Sequence, residues 1–260
     1  MFNKGVLNMS KYKINYYNNN FGIEYVYSDN SKFSYSEHSH VSVYTIIILL
    51  SGSLKLKKEN QCFDIKEGEY IVIKPYEIHS ISLNKSEYYQ MLSVCINKNV
   101  IKKNDLDSIK YVIINDLNYL VNSYFIKFKY SNVILKALND VYYIKEKIDK
   151  KISVGSILDI IEKNPEIELN IDEMCEKIYI SKYHFIRKFK KEMGLTPHKF
   201  HIQNKIRKAK KMLNEGYSII ETAMYSGFYD ESHLIRNFKN SINLTPSEYK
   251  KLYIKMYDEK

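Results

Sequence analysis

A duplication in the last third of the 260-residue chain constrains its fold more than any other feature. Gly194-Leu195-Thr196-Pro197-His198-Lys199-Phe200 matches Asn243-Leu244-Thr245-Pro246-Ser247-Glu248-Tyr249 at an offset of 49. The same offset pairs His184 with His233, Ile186-Arg187 with Ile235-Arg236, and Phe189-Lys190 with Phe238-Lys239. Upstream the offset becomes 48, pairing Ile171 with Ile219, Glu173 with Glu221 and Cys175 with Ala223. The second copy therefore carries one extra residue in the turn between two helices. A repeat of this length is one supersecondary unit used twice.

Each copy reads as a short helix, a turn, a second helix and a Thr-Pro stop. Asn170 is an N-cap for a helix over Ile171–Ile178, and Ser181 caps one starting at Lys182. Ser218 with Glu221 three residues on makes a capping box. Gly227 stands where the chain turns and a positive φ is cheap, and Asp230 or Tyr229 opens the last helix. The small Cys175 and Ala223 let two helices cross closely. This is the helix-turn-helix pattern, whose second helix enters the major groove of a duplex. Phe185, Phe189 and Met193 recur every four residues and face the core, as do Leu234 and Phe238. The opposite stripes hold Tyr183, Ile186, Arg187 and Lys190 in one copy, and Ser232, Ile235, Arg236 and Lys239 in the other. An outward isoleucine suits a thymine methyl, and an arginine reaches guanine bidentately or a phosphate. A connector helix from about His198 to Glu215 spans roughly 25 Å, which brings the two units towards the ~34 Å of one DNA turn.

The charge lies where this pattern needs it. Eleven Lys/Arg and one acid, Glu192, fall between Ser181 and Lys211, a net of +10 that equals the charge of the whole chain. Lys182, Lys190, Lys205, Arg207, Lys208, Lys211 and Lys239 are the candidate contacts to DNA phosphates, which position a protein without reading sequence.

The first hundred residues have strand character. A β-rich run over 41–50 is broken by Ser51-Gly52-Ser53, after which Leu54-Lys55-Leu56-Lys57 alternates. Glu67-Gly68 is a turn, and Tyr70–Ile73, Ile81–Leu83 and Met91–Ile96 are further strands of a small barrel or sandwich. Helical spacing follows in Leu106, Ile109, Ile113, Leu117 and Leu120, then in Leu135, Leu138, Val141 and Tyr142. These two helices cover the barrel or form a dimer seam, and a charged connection lies around Lys145–Lys151. The reading is an α+β chain with a β-barrel and flanking helices, then an all-α domain of two helix-turn-helix units joined by a long helix. Its regions are 1–100, 101–152 and 153–260, with a boundary near 148–154 and the two units at about 170–194 and 218–243. The longest apolar run, Val43–Leu50, falls short of the ~20 residues of a membrane span. The opening MFNKGVLNMS lacks the apolar core of a secretory signal. Cys62, Cys95 and Cys175 form no disulfide framework and suit a reducing cytosol, so a soluble cytoplasmic protein is expected.

At ISKYHFIRKFKKEMGLTPHKF, KIRKAKKML and SIIETAMYSGFYDESHLIRNFKNSINLTPSEYK the chain resembles the AraC/XylS family of bacterial transcription regulators, over about Ser153 to Lys251. The resemblance implies base reading by Tyr183, Ile186, Arg187, Ser232, Ile235 and Arg236, with Glu231 and His233 as further candidates. It also implies double-stranded DNA, RNA polymerase and a second copy of the chain as partners, and an activator or repressor as the outcome. Two positions depart from the pattern. Tyr179 stands where a glycine is common in the first turn, and Lys205 where an arginine is usual.

The N-terminal half resembles the cupin-type sensor domain of that family. His38-Ser39-His40 before the strand ending at Ser51-Gly52, then Gly68 with Pro75 and His79, carry the likeness. Metal cupins use two His, a Glu and a further His, and here no acid stands near Tyr44-Thr45. Three readings stay open for His38, His40 and His79: a divalent metal site without the carboxylate, the polar rim of a small-molecule effector pocket that includes Tyr44, or structural histidines. No cofactor is otherwise implied. The main alternative to a regulator is a metal-dependent cupin enzyme with a basic helical nucleic-acid-binding tail. The missing carboxylate and the duplication both oppose it, so no catalytic residue is expected. RNA recognition fits less well because the sheet-borne aromatics or special loops that usually read RNA are not found, and a membrane-surface helix because these helices alternate with turns and stops and carry no broad apolar face.

Overall fold

The computed structural model describes residues 13–19, 21–58, 61–84, 88–124, 130–148, 155–177 and 179–255. The first ten residues and, save Ile148, the expected boundary at 148–154 lie outside the described residues. The chain divides into two compact units: Met1–Pro75, His79–Asp149 and Lys251–Lys260 form one, and Tyr76–Ile78 with Lys150–Lys250 form the other.

The first unit contains β1 (Lys13–Asn18), β2 (Ile23–Ser31), β3 (Tyr35–His38), β4 (Val43–Lys58), β5 (Gln61–Lys66), β6 (Tyr70–Ile73), β7 (His79–Leu83), β8 (Tyr89–Asn97) and β9 (Tyr253–Lys255). Helices α1 (Lys98–Lys103), α2 (Leu106–Tyr124) and α3 (Ser131–Ile148) follow β8. The strand order is β3-β7-β4-β8-β2-β1-β9, with β5 and β6 also paired to β4. All pairs are antiparallel except β1 with β9.

β4 organises this unit. Its first half pairs with β8 and β6, and its second half with β5 and β7. The expected break at Ser51-Gly52-Ser53 is instead a bend within one 16-residue strand. A bulge against β8 between Leu49 and Ser51, and Gly52 at φ +85°, turn the strand without ending it. The apolar run before the bend is continuous because both faces are buried. Ile46 and Ile48 pack with Val72, Leu92, Val94 and Ile96 against Ile109, Ile113, Leu117, Ile134, Leu138 and Val141. Ile47 and Leu49 point the other way, packing with Ile71, Ile73 and Met91 against Leu54, Leu56, Ile65 and Ile81 from beyond the bend. The apolar stripes of α2 and α3 thus cover the sheet. The charged connection expected from Lys145 is in part the end of α3, which runs to Ile148.

The second unit is helical: α4 (Gly155–Lys163), α5 (Ile171–Lys177), α6 (Lys182–Met193), α7 (Pro197–Asn214), α8 (Ile219–Tyr225), α9 (Glu231–Ile242) and α10 (Pro246–Leu252). The duplication is repeated in the packing. Phe189 meets Phe200 and Phe238 meets Tyr249, each with ring centroids 5.5 Å apart. Phe185, Phe189, Met193, Leu234 and Phe238 are buried, as their spacing requires. The Thr-Pro dipeptides act as starts, not as stops. Thr196 caps α7 with Pro197 in its first turn, and Thr245 accepts the Glu248 N–H at 3.2 Å at the start of α10. The stops lie two residues earlier, at Gly194 (φ +75°) and Asn243 (φ +60°). Each is left-handed, and its N–H donates to the carbonyl of Lys190 or Lys239.

Candidate nucleic-acid interface and histidine cluster

The two candidate reading helices are aimed by matched caps. Ser181 accepts the His184 N–H at 3.3 Å to start α6, and Asp230 accepts the His233 N–H at 2.6 Å to start α9. Asn170 caps α5 through the Glu173 N–H, and the Ser218–Glu221 capping box opens α8. The turns match as well. Ile180 N–H donates to Cys175 O and Phe228 N–H to Ala223 O, and the residue before each donor has positive φ: Tyr179 at 53° and Gly227 at 79°. Ile180 leads directly to Ser181, whereas Phe228 is followed by Tyr229 before Asp230. Tyr229, 92% exposed, is therefore the extra residue of the second copy.

On α6, Tyr183, Arg187 and Lys190 are exposed, and the Arg187 guanidinium lies 5.5 Å from the centre of the Tyr183 ring. This cation–π contact one turn apart restrains the arginine while leaving its donors outward. On α9, Ser232, Arg236 and Lys239 are exposed. Ile186 and Ile235 are half-buried, so each offers an edge of its side chain and not the whole of it. Tyr229, Asp230, Ser232, His233 and Arg236 line an open groove of about 350 Å³. His233 stands edge-on to Phe228, and burial followed by the Arg236 charge lowers its pKa, which favours a neutral imidazole. Tyr229 had no assigned site role in the sequence. The extra residue in the repeat was the signal that could have found it.

The basic residues separate into two groups. Lys182 and Lys211 are exposed, with carboxylates of Asp172 at 2.9 Å and Glu215 at 3.7 Å. Lys205 and Arg207, expected at phosphates, turn inward. Lys205 is 9% exposed, donates to the Gly227 carbonyl at 2.5 Å and lies over the Phe228 ring. Arg207 donates to the Glu162 carbonyl at 2.6 Å, and burial lowers its pKa. Lys208 is half-buried against Glu166 at 2.9 Å. All three hold α7 to its neighbours, which the helical spacing alone does not reveal.

In the first unit, His38, His40 and His79 converge. One ring nitrogen of each lies within 4.8 Å of those of the other two, and the ring centroids are 4.2 to 5.2 Å apart. The β3–β7 pairing sets His38 opposite His79. His38 Nδ1 donates to Ser36 O at 2.8 Å, and burial lowers its pKa. His40 Nδ1 lies 2.5 Å from Thr45 Oγ1, whose hydroxyl donates to Cys95 Sγ at 3.8 Å. Tyr44, expected on the same rim, is instead buried in the cluster against α2 and α3. Adjacent residues of a strand point to opposite faces, so Thr45 and Tyr44 cannot share a site. Cys62, Cys95 and Cys175 form no disulfide.

An antiparallel sheet domain followed by paired helix-turn-helix units defines a class of two-part proteins. A family profile described as an AraC-like ligand binding domain matches residues 20–101, and one described as a helix-turn-helix domain matches residues 174–252. The multiple antibiotic resistance protein MarA of Escherichia coli (strain K12) is 34% identical over 100 residues, covering 38% of this chain and 79% of MarA. The chain belongs to the AraC family of transcriptional regulators. The HTH-type transcriptional regulator MtrA of Neisseria gonorrhoeae is 32% identical over 104 residues, 40% of this chain and 34% of MtrA. This chain spans about a third of the length of the first curated relatives it matches. A structure of apo ToxT from Vibrio cholerae covers 90% of this chain and 98% of its own at a TM-score of 0.59 and 18% identity, a likeness of fold. None of these relatives carries an enzyme's name, and the enzyme alternative gains no support.

Proposed function

We propose that the chain is a sequence-specific double-stranded-DNA-binding transcription regulator. The carrying observation is the pair of equivalently capped helices, α6 and α9, each presenting an exposed arginine at the same place in the repeat. Arg187 and Arg236 read bases from adjacent major-groove segments, with Tyr183, Ile186, Ser232 and Ile235 beside them. Lys182, Lys190, Lys211 and Lys239 contact phosphates. The sheet domain takes a small-molecule effector or mediates dimerisation. ToxT, the fold neighbour, has been solved with an unsaturated fatty acid bound. The exposed Tyr111 and Ile114 of α2 favour a homodimer seam on the outer side of that helix. RNA polymerase is the further partner. No helix among the described residues is long and apolar enough to cross a membrane, in keeping with action on DNA in the cytoplasm.

Binding is tested by fluorescence anisotropy on operator fragments recovered from genomic footprinting. Arg187→Ala and Arg236→Ala should each weaken operator binding by about 1–3 kcal/mol, roughly 5- to 150-fold, and relax specificity at one position. An equal loss on every sequence would assign that arginine to the phosphate backbone. Unchanged binding by Arg236→Ala would exclude the second unit from the interface.

A further inference from the structure

We infer that His38, His40 and His79 form a binding site for a divalent transition-metal ion of the zinc class. Ser36 O is an acceptor, so His38 Nδ1 carries the proton and its Nε2 holds a lone pair. Thr45 Oγ1 lies 3.8 Å from Cys95 Sγ, and a hydroxyl that donates to this sulfur leaves Oγ1 to accept from His40 Nδ1. His40 Nε2 is then also a lone-pair nitrogen. Two metal-binding nitrogens are thus set by hydrogen bonds on the far side of each ring, the arrangement that orients histidine ligands at metal sites.

The third ring is built in more firmly. His79 is 1% exposed at the first residue of β7, with centroids 4.2 Å from His38 and 4.9 Å from His40. A space that needed only filling would be filled by apolar side chains, as it is a few residues away around Leu54, Leu56 and Ile81. Three imidazoles from β3, the loop after it and β7 meet instead. Ring nitrogens in a tetrahedral zinc site lie about 3.4 Å apart, given Zn–N distances of about 2.0–2.1 Å. One ring nitrogen of each histidine lies within 4.8 Å of those of the other two, and rotation of the rings would bring them to that spacing. Neutral imidazole favours zinc, copper, nickel and cobalt over magnesium or calcium, and no carboxylate belongs to the set. Three protein ligands leave one position of a tetrahedron for water or for an anionic or neutral small molecule.

The test is titration of the metal-stripped full-length chain with Co²⁺, followed by displacement with Zn²⁺. The expected result is one Co²⁺ per chain with the intense visible absorption of four-coordinate cobalt, lost on adding one equivalent of Zn²⁺. His79→Gln and, at the less buried ring, His38→Gln should each weaken Co²⁺ binding at least about tenfold. Thr45→Val should weaken it about 10–100-fold by releasing the His40 ring while keeping the side-chain shape. Circular dichroism and melting of each variant separate lost metal binding from lost folding. Absence of the four-coordinate spectrum in the wild-type chain would overturn the site. So would Co²⁺ binding that His38→Gln and Thr45→Val, both folded, leave unchanged.

Discussion

The Lys205 ammonium donates to the Gly227 carbonyl and packs on Phe228, and burial lowers its pKa even though Glu168 works against the shift. Lys190, fifteen positions earlier in the same basic window, is exposed on the outer stripe of α6. The two lysines should therefore fail in different ways. Lys205→Ala removes a charged donor from a part-buried carbonyl, which costs about 1–3 kcal/mol. It should lower the melting temperature and leave the salt dependence of DNA binding as it was. Lys190→Ala should leave melting unchanged and reduce the slope of log K against log salt by about one. If Lys205→Ala instead reduces that slope at constant stability, its ammonium reaches a phosphate in the complex. Composition counted the two residues alike because it counts charge, and only the burial of one side of α7 tells them apart.

At the scale of an element, the turn between paired helices occurs twice with different residues in one conformation. Tyr179 holds φ +53° with its side chain 95% exposed, so its strain has no compensating burial. Tyr179→Gly should stabilise the chain by up to about 1 kcal/mol. Gly227 holds φ +79°, and an added Cβ would lie 2.5 Å from Glu166 O. Gly227→Ala should thus cost more than about 1 kcal/mol, from strain and collision together. Thermal melting of the two variants checks both signs, and a destabilised Tyr179→Gly would mean that the tyrosine makes a contact the turn needs. This turn, the caps and the core stripes of α6 and α9 were legible because they are local: a cap or a stripe is fixed by residues three or four apart. β4 was less so. Ser51-Gly52-Ser53 has the composition of a turn, and only its pairing partners, Lys66 on β5 and Tyr89 and Gln90 on β8, make it a bend. The three histidines were visible as residues, but β3–β7 pairing had to bring His38 to His79. The alternation along β4, which separates Tyr44 from Thr45, was hidden because both faces of that strand are apolar.

At the scale of the molecule, the question is whether α6 and α9 engage one duplex together. α7 spans 18 residues, about 27 Å of helix, and Lys205, Arg207 and Lys208 fix it to the rest of its unit. A stiff connector makes the second contact effectively intramolecular only when the half-sites match its span and face. Five base pairs inserted between the half-sites turn the second onto the opposite side of the helix. A flexible connector would recover part of the binding when a full turn is inserted, whereas a stiff one is defeated by the added length as well. The expected outcome is that both insertions reduce affinity to that of a single half-site, with Arg236→Ala then causing no further loss. Anisotropy titrations on the three operators, with wild type and Arg236→Ala, decide it. Full affinity on the ten-base-pair insertion would show that the two units reach DNA independently, and a residual effect of Arg236→Ala on both insertions would show that α9 stays engaged.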